Sequence, residues 1–330
     1  MRTIGIDVGA KELVVMVCQD GKVASSETFD NTHAGHNQLI KYIKPKKYPS
    51  RVCMEATGVY HFDIAVVLSK TPGIELMVIN PKVANRFAQA LATKDKTDTV
   101  DAKVLALYAE RMDFVPWDCP KDTILALRAY ARQLAKLARS RTAAKNQLHA
   151  LEATIYTPKP VLQNQKKQVK FYEREIKKLE LMAIEFIKTD SKLYHRFELL
   201  LTIKGVGETS AVQLLGELSA LPNDMTHRQW VAHAGLNPRK HQSGTSINKK
   251  SYISKAGNRY LRKALYMPAL SAARHDPYVE KFYLHLQEDQ GLKKMQALCA
   301  VMRKLLHAIW GMFEADAPFD NSRFYGGSRV

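Results

Sequence analysis

The N-terminal part of the chain keeps switching between the hydrophobic period of a strand and that of a helix, which limits it to few folds. Thr3-Ile4-Gly5-Ile6-Asp7-Val8 alternates apolar with small or polar residues and reads as a strand. Gly9 marks a turn, Glu12 to Cys18 a second and strongly apolar strand, Asp20-Gly21 a hairpin turn, and Val23 to Phe29 a third strand. Asn31 is placed to cap a helix running through Leu39, Ile40 and Ile43. A strand from Arg51 to Glu55, a helix over Phe62 to Ser69 and a strand from Ile74 to Ile79 follow. Asn80-Pro81 then opens a helix around Val83 to Leu91. The order is a three-strand meander, then helix, strand, helix, strand, helix.

That order is RNase H-like. It is also the half-unit of the actin and sugar-kinase fold, so order alone leaves function open. Acidic residues narrow it. Phosphodiester chemistry with two metal ions needs several carboxylates at one point, because Mg²⁺ takes hard oxygen ligands and a pair of ions stabilises both the entering and the leaving oxygen. Asp7 points opposite to Ile4, Ile6 and Val8, and Glu55 ends the fourth strand. In an RNase H-like sheet these strands are central neighbours, so the two carboxylates would meet. Asp98 and Asp101 are three residues apart, on one face of a helix that starts there. Singly, each acid has an ordinary use: a strand-end residue, a turn cap, or an acidic helix start. The joint pattern is far more specific.

Charge points the same way. The chain has 330 residues, 46% of them hydrophobic, enough for about two domains with a real core. Its 50 Lys and Arg against 32 Asp and Glu leave a net +18, which favours a polyanionic partner such as nucleic acid and disfavours a sugar or acetate kinase. That kinase reading also lacks a second phosphate loop and an adenosine motif. Cys18, Cys53, Cys119 and Cys299 are far apart, giving neither a zinc-ribbon spacing nor a disulfide framework; isolated thiols fit a reducing cytoplasm. No apolar run has the length of a membrane span, and the start MRTIGIDVGA is no signal peptide.

Asp122 to about Glu152 reads as one long helix, interrupted by Pro158 and Pro160. A second runs from about Gln163 to Lys188, with Val169, Tyr172, Ile176, Leu179 and Met182 at three- and four-residue steps. The pair suits a coiled-coil hairpin or dimer arm, and equally an amphipathic helix within a bundle. From about Phe197 the chain reads as helical with loops. Between Arg239 and Lys263 stand eight cations and no acid: Arg239, Lys240, Lys249, Lys250, Lys255, Arg259, Arg262 and Lys263. Interleaved with Ser, Thr, Asn, Gly and Tyr, they suit a phosphate backbone. As nucleophiles, Ser243, Thr245, Ser246, Ser251 and Ser254 are equal candidates on the residues alone, and Tyr252, Tyr260 and Tyr266 would serve a tyrosine recombinase. Lys204-Gly205-Val206-Gly207 suits a helix-hairpin-helix whose Gly-rich turn offers amides to phosphates, and equally a plain turn between packed helices.

The surroundings of the four acids are Ile-Gly-Ile-Asp7, Met-Glu55-Ala-Thr-Gly-Val-Tyr and Lys-Thr-Asp98-Thr-Val-Asp101-Ala, with Val-Ile-Asn-Pro between. Together they resemble the DEDD transposases of insertion sequences, relatives of Piv-type DNA invertases with a RuvC-like catalytic domain. The resemblance continues through Gly235-Leu-Asn-Pro-Arg239, Gln242-Ser243-Gly-Thr-Ser246, Ser254-Lys-Ala-Gly-Asn258 and Leu261-Arg-Lys-Ala-Leu-Tyr-Met267 to Met302-Arg-Lys-Leu305. It implies a RuvC-like catalytic domain over 1–155 with a long trailing helix, a coiled-coil or helical linker over 156–195, and a mainly α transposase domain over 196–330. It implies that Asp7, Glu55, Asp98 and Asp101 bind Mg²⁺ or Mn²⁺, and that Ser243 forms the covalent link to cleaved DNA. It further implies double-stranded donor and target DNA, a structured non-coding guide (bridge) RNA, and a homodimer assembling to a tetramer, the tetrad of one subunit facing the serine of another. The alternatives are a RuvC-like junction-resolving endonuclease with water as nucleophile, and a non-enzymatic nucleic-acid-binding protein on a relic nuclease fold.

Overall fold

The computed structural model describes residues 2–44, 49–56, 60–92, 97–243 and 247–325, with backbone alone at 240–243 and 247–251. The chain divides into two compact units, Met1–Cys119 and Pro120–Val330.

The first unit is a five-stranded sheet with helices. Its elements are β1 (Arg2–Val8), β2 (Glu12–Gln19), β3 (Lys22–Asp30), α1 (His33–Ile43), β4 (Ser50–Glu55), α2 (Phe62–Ser69), β5 (Ile74–Ile79), α3 (Pro81–Ala90) and α4 (Asp98–Arg111). The strand order is β3-β2-β1-β4-β5. The meander β1–β3 is antiparallel, and β1, β4 and β5 run parallel, which is the RNase H-like arrangement. Period-two alternation sorts the faces. Ile4, Ile6 and Val8 join Val52 and Met54 over Leu39, Ile43, Ile64 and Leu68, all buried. The opposite face receives α4. A Cβ on Gly5 would stand 1.8 Å from the Ala102 carbonyl oxygen and 2.4 Å from the Ala106 nitrogen, so the helix backbone lies directly on β1. Only glycine allows that approach, and Ala102 and Ala106 keep the helix side equally thin.

The cap of α1 differs from the sequence reading. Thr32, not Asn31, caps α1, its hydroxyl accepting from the Gly35 amide. Asn31 instead donates to the carbonyls of Gly9 and Tyr60 at 2.9 and 3.1 Å and pairs with His36 at 2.8 Å, tying together the loops at the strand ends.

The second unit is mostly helical: α5 (Asp122–Glu152), α6 (Lys159–Lys188), α7 (Ser191–Leu201), α8 (Glu208–Leu218), α9 (His227–Ala234), α10 (Arg259–His275), α11 (Pro277–Glu288) and α12 (Lys294–Ala315). The long helix that the sequence attaches to the catalytic region packs here, Leu127 and Leu134 of α5 sharing one core with Ile184, Leu215, Leu261 and Leu305. α6 returns antiparallel along α5, with Lys145–Glu173 and Lys166–Glu152 ion pairs at 2.7 and 2.9 Å. It begins earlier than its periodicity suggests, because Pro160 falls in the first turn, where a missing amide costs nothing. Among the described residues, no helix is long and apolar enough to cross a membrane.

The stretch expected to be loop after α9 is instead an antiparallel hairpin, β6 (Pro238–Ser243) and β7 (Ile247–Ile253). The signals were Gly244 between two runs and the β-branched and aromatic content of Ile247, Tyr252 and Ile253. With no regular apolar alternation in sequence, the runs do not read as strands.

Candidate functional site

Asp7 and Glu55 stand at the C-terminal ends of adjacent parallel strands. The last pair of that ladder is Ile6 with Met54, so the next residues outward are Asp7 and Glu55. Both follow the alternation to the α4 face, beyond Gly5 and Cys53. The carboxyl ends of parallel strands are where α/β sheets leave room for ligands. α4 brings the other two acids. Thr97 is its cap, its hydroxyl accepting from the Val100 amide at 3.3 Å, which frees Asp98 from the capping task the sequence left open for it. Asp98 and Asp101 both occupy the first turn. Because α4 is pressed onto Gly5, that turn faces Asp7.

Electrostatics record the convergence. Asp7 is half-buried, and its carboxyl is pushed up to about 6 by burial first, then by the negative charges of Asp98, Asp101 and Glu55. Four acids gathered this way repel one another and are relieved by a proton or a cation. The donor set is all carboxylate oxygen, the chemistry a hard divalent ion selects. As the side chains stand, no three acids among the described residues close into a set that would ligate one ion. The structure therefore places Asp98, Asp101 and Glu55 within electrostatic reach of Asp7 without closing them into a ligand set. Thr57, Gly58, Val59 and Lys96, from the motifs beside these acids, lie outside the described residues.

In the second unit, Ser243 is the last residue of β6, paired through its backbone with Ile247 across the hairpin tip. Gly244, Thr245 and Ser246 lie outside the described residues. The base of the hairpin is stitched to α9. The Lys255 amide donates to the Gly235 carbonyl at 3.1 Å, and the Asn258 amide donates to the His233 carbonyl at 2.6 Å. Asn258 also caps α10, accepting from the amides of Tyr260 and Leu261. Of the expected cations, Lys240, Lys249 and Lys250 fall on the hairpin strands. Arg239, Lys255, Arg259 and Lys263 are exposed. Arg262 has a structural task, donating to the Ala234 carbonyl at 2.7 Å at the end of α9.

The Lys204–Gly207 turn does join two helices, α7 and α8. Gly205 has φ +101° and packs against the α10 backbone, where a Cβ would lie 2.8 Å from the Pro268 carbonyl oxygen. Lys204 and Gly207 are exposed, but Glu208 opens α8 and shares Lys177 with Glu180, so an acid stands at the amide end the motif would offer to phosphate.

Sequence reading missed Glu217. It is 1% exposed and takes Arg132 at 2.7 Å, Arg128 at 3.2 Å and the Asn258 side-chain amide at 2.6 Å. Burial pushes its carboxyl up, but the Arg132 hydrogen bond, the two guanidinium charges and Asn258 more than offset that and hold it below the ordinary range. Glu217 thereby fixes the cap of α10 just behind the basic hairpin. An acid inside an apolar run, Leu214-Leu215-Gly216-Glu217-Leu218, was the available signal.

The chain is similar to known transposases and DNA-inverting proteins. Residues 4–156 match the DEDD transposase family model of IS110 type, and residues 197–284 match the transposase IS116/IS110/IS902 family model. A pilin gene-inverting protein of Moraxella bovis is 30% identical over 298 residues, 89% of this chain and 90% of the relative. The pilin gene-inverting protein of Moraxella lacunata has the same identity and coverage. A transposase for insertion sequence element IS1328 from Yersinia enterocolitica is 27% identical over 285 residues, 79% of this chain and 81% of the relative. T. thermophilus RuvC in complex with a Holliday junction substrate aligns with a TM-score of 0.27 and 16% identity over 36% of this chain and 99% of that one. The chain belongs to the IS110 family of DEDD transposases and DNA invertases, enzymes of DNA recombination.

Proposed function

We propose that this enzyme cuts and rejoins DNA through a covalent serine–DNA intermediate, with Mg²⁺ or Mn²⁺ held by Asp7, Glu55, Asp98 and Asp101. The observation that carries the reading is the gathering of three carboxylates around the raised carboxyl of Asp7. When bound, divalent ions supply charge neutralisation at the attacked phosphate. Ser243 Oγ forms a bond to phosphorus, one backbone P–O bond breaks, and the serine proton ends on the released sugar hydroxyl. A hydroxyl of the partner strand then attacks the phosphoserine, restoring Ser243 and joining the strands. The phosphodiester energy is conserved in the intermediate, so no ATP is consumed.

The basic hairpin, the start of α10 and the exposed Lys204 ammonium hold the DNA backbone. A structured non-coding bridge RNA pairs with donor and target DNA, and the enzyme works as a homodimer assembling to a tetramer, with the α5–α6 hairpin as a coiled-coil arm. The family and the +18 charge support this part.

Recombination of a two-site plasmid tests the reading. Asp101→Asn, or chelation of divalent ions, removes recombination, and Mg²⁺ restores it only to the wild type. Recombination by Asp101→Asn at the wild-type rate would overturn the metal assignment. Sequencing the nucleic acid that copurifies tests the guide: a single discrete RNA matching the flank of the enzyme's own gene is expected, and random cellular RNA contradicts it.

A further inference from the structure

Helices α5 and α10 set cations against one another. Arg128, Arg132 and Arg139 fall on one stripe of α5, at steps of four and seven residues. Arg259 and Lys263 are four apart on α10. The two rows meet at Tyr260. The Arg132 guanidinium lies 4.8 Å from the centroid of its ring and that of Arg259 lies 5.1 Å away. Arg259 also donates to the phenol oxygen at 3.3 Å. One pair further along, Lys263 is held below its ordinary range by burial and then by the charge of Arg139. Glu217 lies beneath, already shared by Arg128, Arg132 and Asn258. Arg139, Arg259 and Lys263 pair with no carboxylate among the described residues.

Facing like charges cost stability, and the chain offsets only part of that cost with one buried acid and one aromatic ring. A row of phosphates along the seam would turn the repulsion into attraction and release counterions. We propose that the α5–α10 seam is a second track for the backbone of duplex DNA, with Arg132 and Arg139 of α5 as phosphate ligands alongside Arg259, Lys263 and the Tyr260 hydroxyl. This rests on the DNA-recombinase reading, and it extends the interface from the hairpin to a helix in which the sequence signals no contact. Tyr260, in contact with both guanidinium groups, acts as the spacer that keeps the cations apart.

The test compares three proteins on a duplex of about 30 base pairs and on a structured RNA of similar length, over a range of salt. They are the wild type, Arg139→Gln in the seam, and Lys249→Gln/Lys250→Gln in the hairpin. Arg139 is exposed, so the seam variant folds, and removing the repulsion leaves its melting temperature equal or higher. For duplex DNA, the slope of log affinity against log salt should shallow by about 0.9 for the one lost contact, and affinity at 0.15 M salt should fall roughly fivefold. An unchanged DNA slope and affinity in the seam variant, with the hairpin variant weakened, would overturn the seam alone, including the case where only RNA binding falls. Wild-type protein with no affinity for duplex DNA would overturn both the seam and the reading beneath it.

Discussion

Replacing Asp7 by Asn should make the metal-free protein more stable while removing its activity. Asp7 is raised to about 6 from an ordinary 3.8. At 1.36 kcal/mol per pH unit that is roughly 3 kcal/mol of penalty on the ionised form. Asp7 is only half-buried, so solvent screening reduces this to about 1 kcal/mol. An acid whose folded value lies above its unfolded one favours the native state while protonated. The wild type therefore keeps this stability near pH 4, loses it between about 4 and 6, and carries the full penalty above 6. Asn carries no charge to desolvate or repel, so its advantage should be absent near pH 4 and complete by pH 7.5. For a unit of about a hundred residues, 1 kcal/mol moves the melting temperature by roughly 4–8 °C. Calorimetry in chelator at the two pH values measures this. A destabilised Asp7→Asn at pH 7.5, or equal gains at both pH values, would contradict the clustering of the four acids.

Other substitutions probe the parts that place the site. Gly5→Ala puts a Cβ 1.8 Å from the Ala102 carbonyl, so α4 must retreat by roughly 1.5–2 Å to restore normal contact; stability should fall by 1–3 kcal/mol or more and DNA cleavage by about a hundredfold, with binding largely retained. Glu217→Gln leaves Arg128 and Arg132 without their carboxylate, and urea denaturation should show a loss of about 3 kcal/mol; a loss below about 1 kcal/mol would mean that the network contributes little. Gly205→Ala meets both φ +101° and the Pro268 carbonyl at 2.8 Å, which should cost about 1–3 kcal/mol in thermal melts. Gly207→Ala, at φ −93° with open space around it, should be near neutral.

Much of the first unit was legible because its strands alternate strictly and its turns carry Gly, Asn and Asp. The positions of Asp7 and Glu55 followed from strand order alone. The identity of a cap did not: Thr32 and Asn31, or Thr97 and Asp98, are all good capping residues, and only the backbone decides which side-chain oxygen accepts from the free N–H groups. The β6–β7 hairpin escaped because Arg239-Lys240-His241-Gln242-Ser243 contains no apolar residue to create a period. Glu217 escaped because its arginines lie 85 and 89 residues away; a buried ion pair at that separation leaves no local pattern. The approach of α4 to β1 was written in Gly5, a glycine inside a strand, but a glycine does not say which backbone comes close.

The proposal that Ser243 is the nucleophile is tested most directly by trapping the reaction on a labelled DNA substrate and resolving the products under denaturing conditions. The wild type should retain label covalently on protein, mapped by mass spectrometry to the peptide carrying Ser243. Ser243→Ala should bind DNA normally and form no adduct. Free cleaved ends with no protein-linked DNA, or an adduct undiminished in Ser243→Ala, would contradict it; the former would mark a metal-dependent nuclease that uses water, and the latter would place the covalent link on another residue.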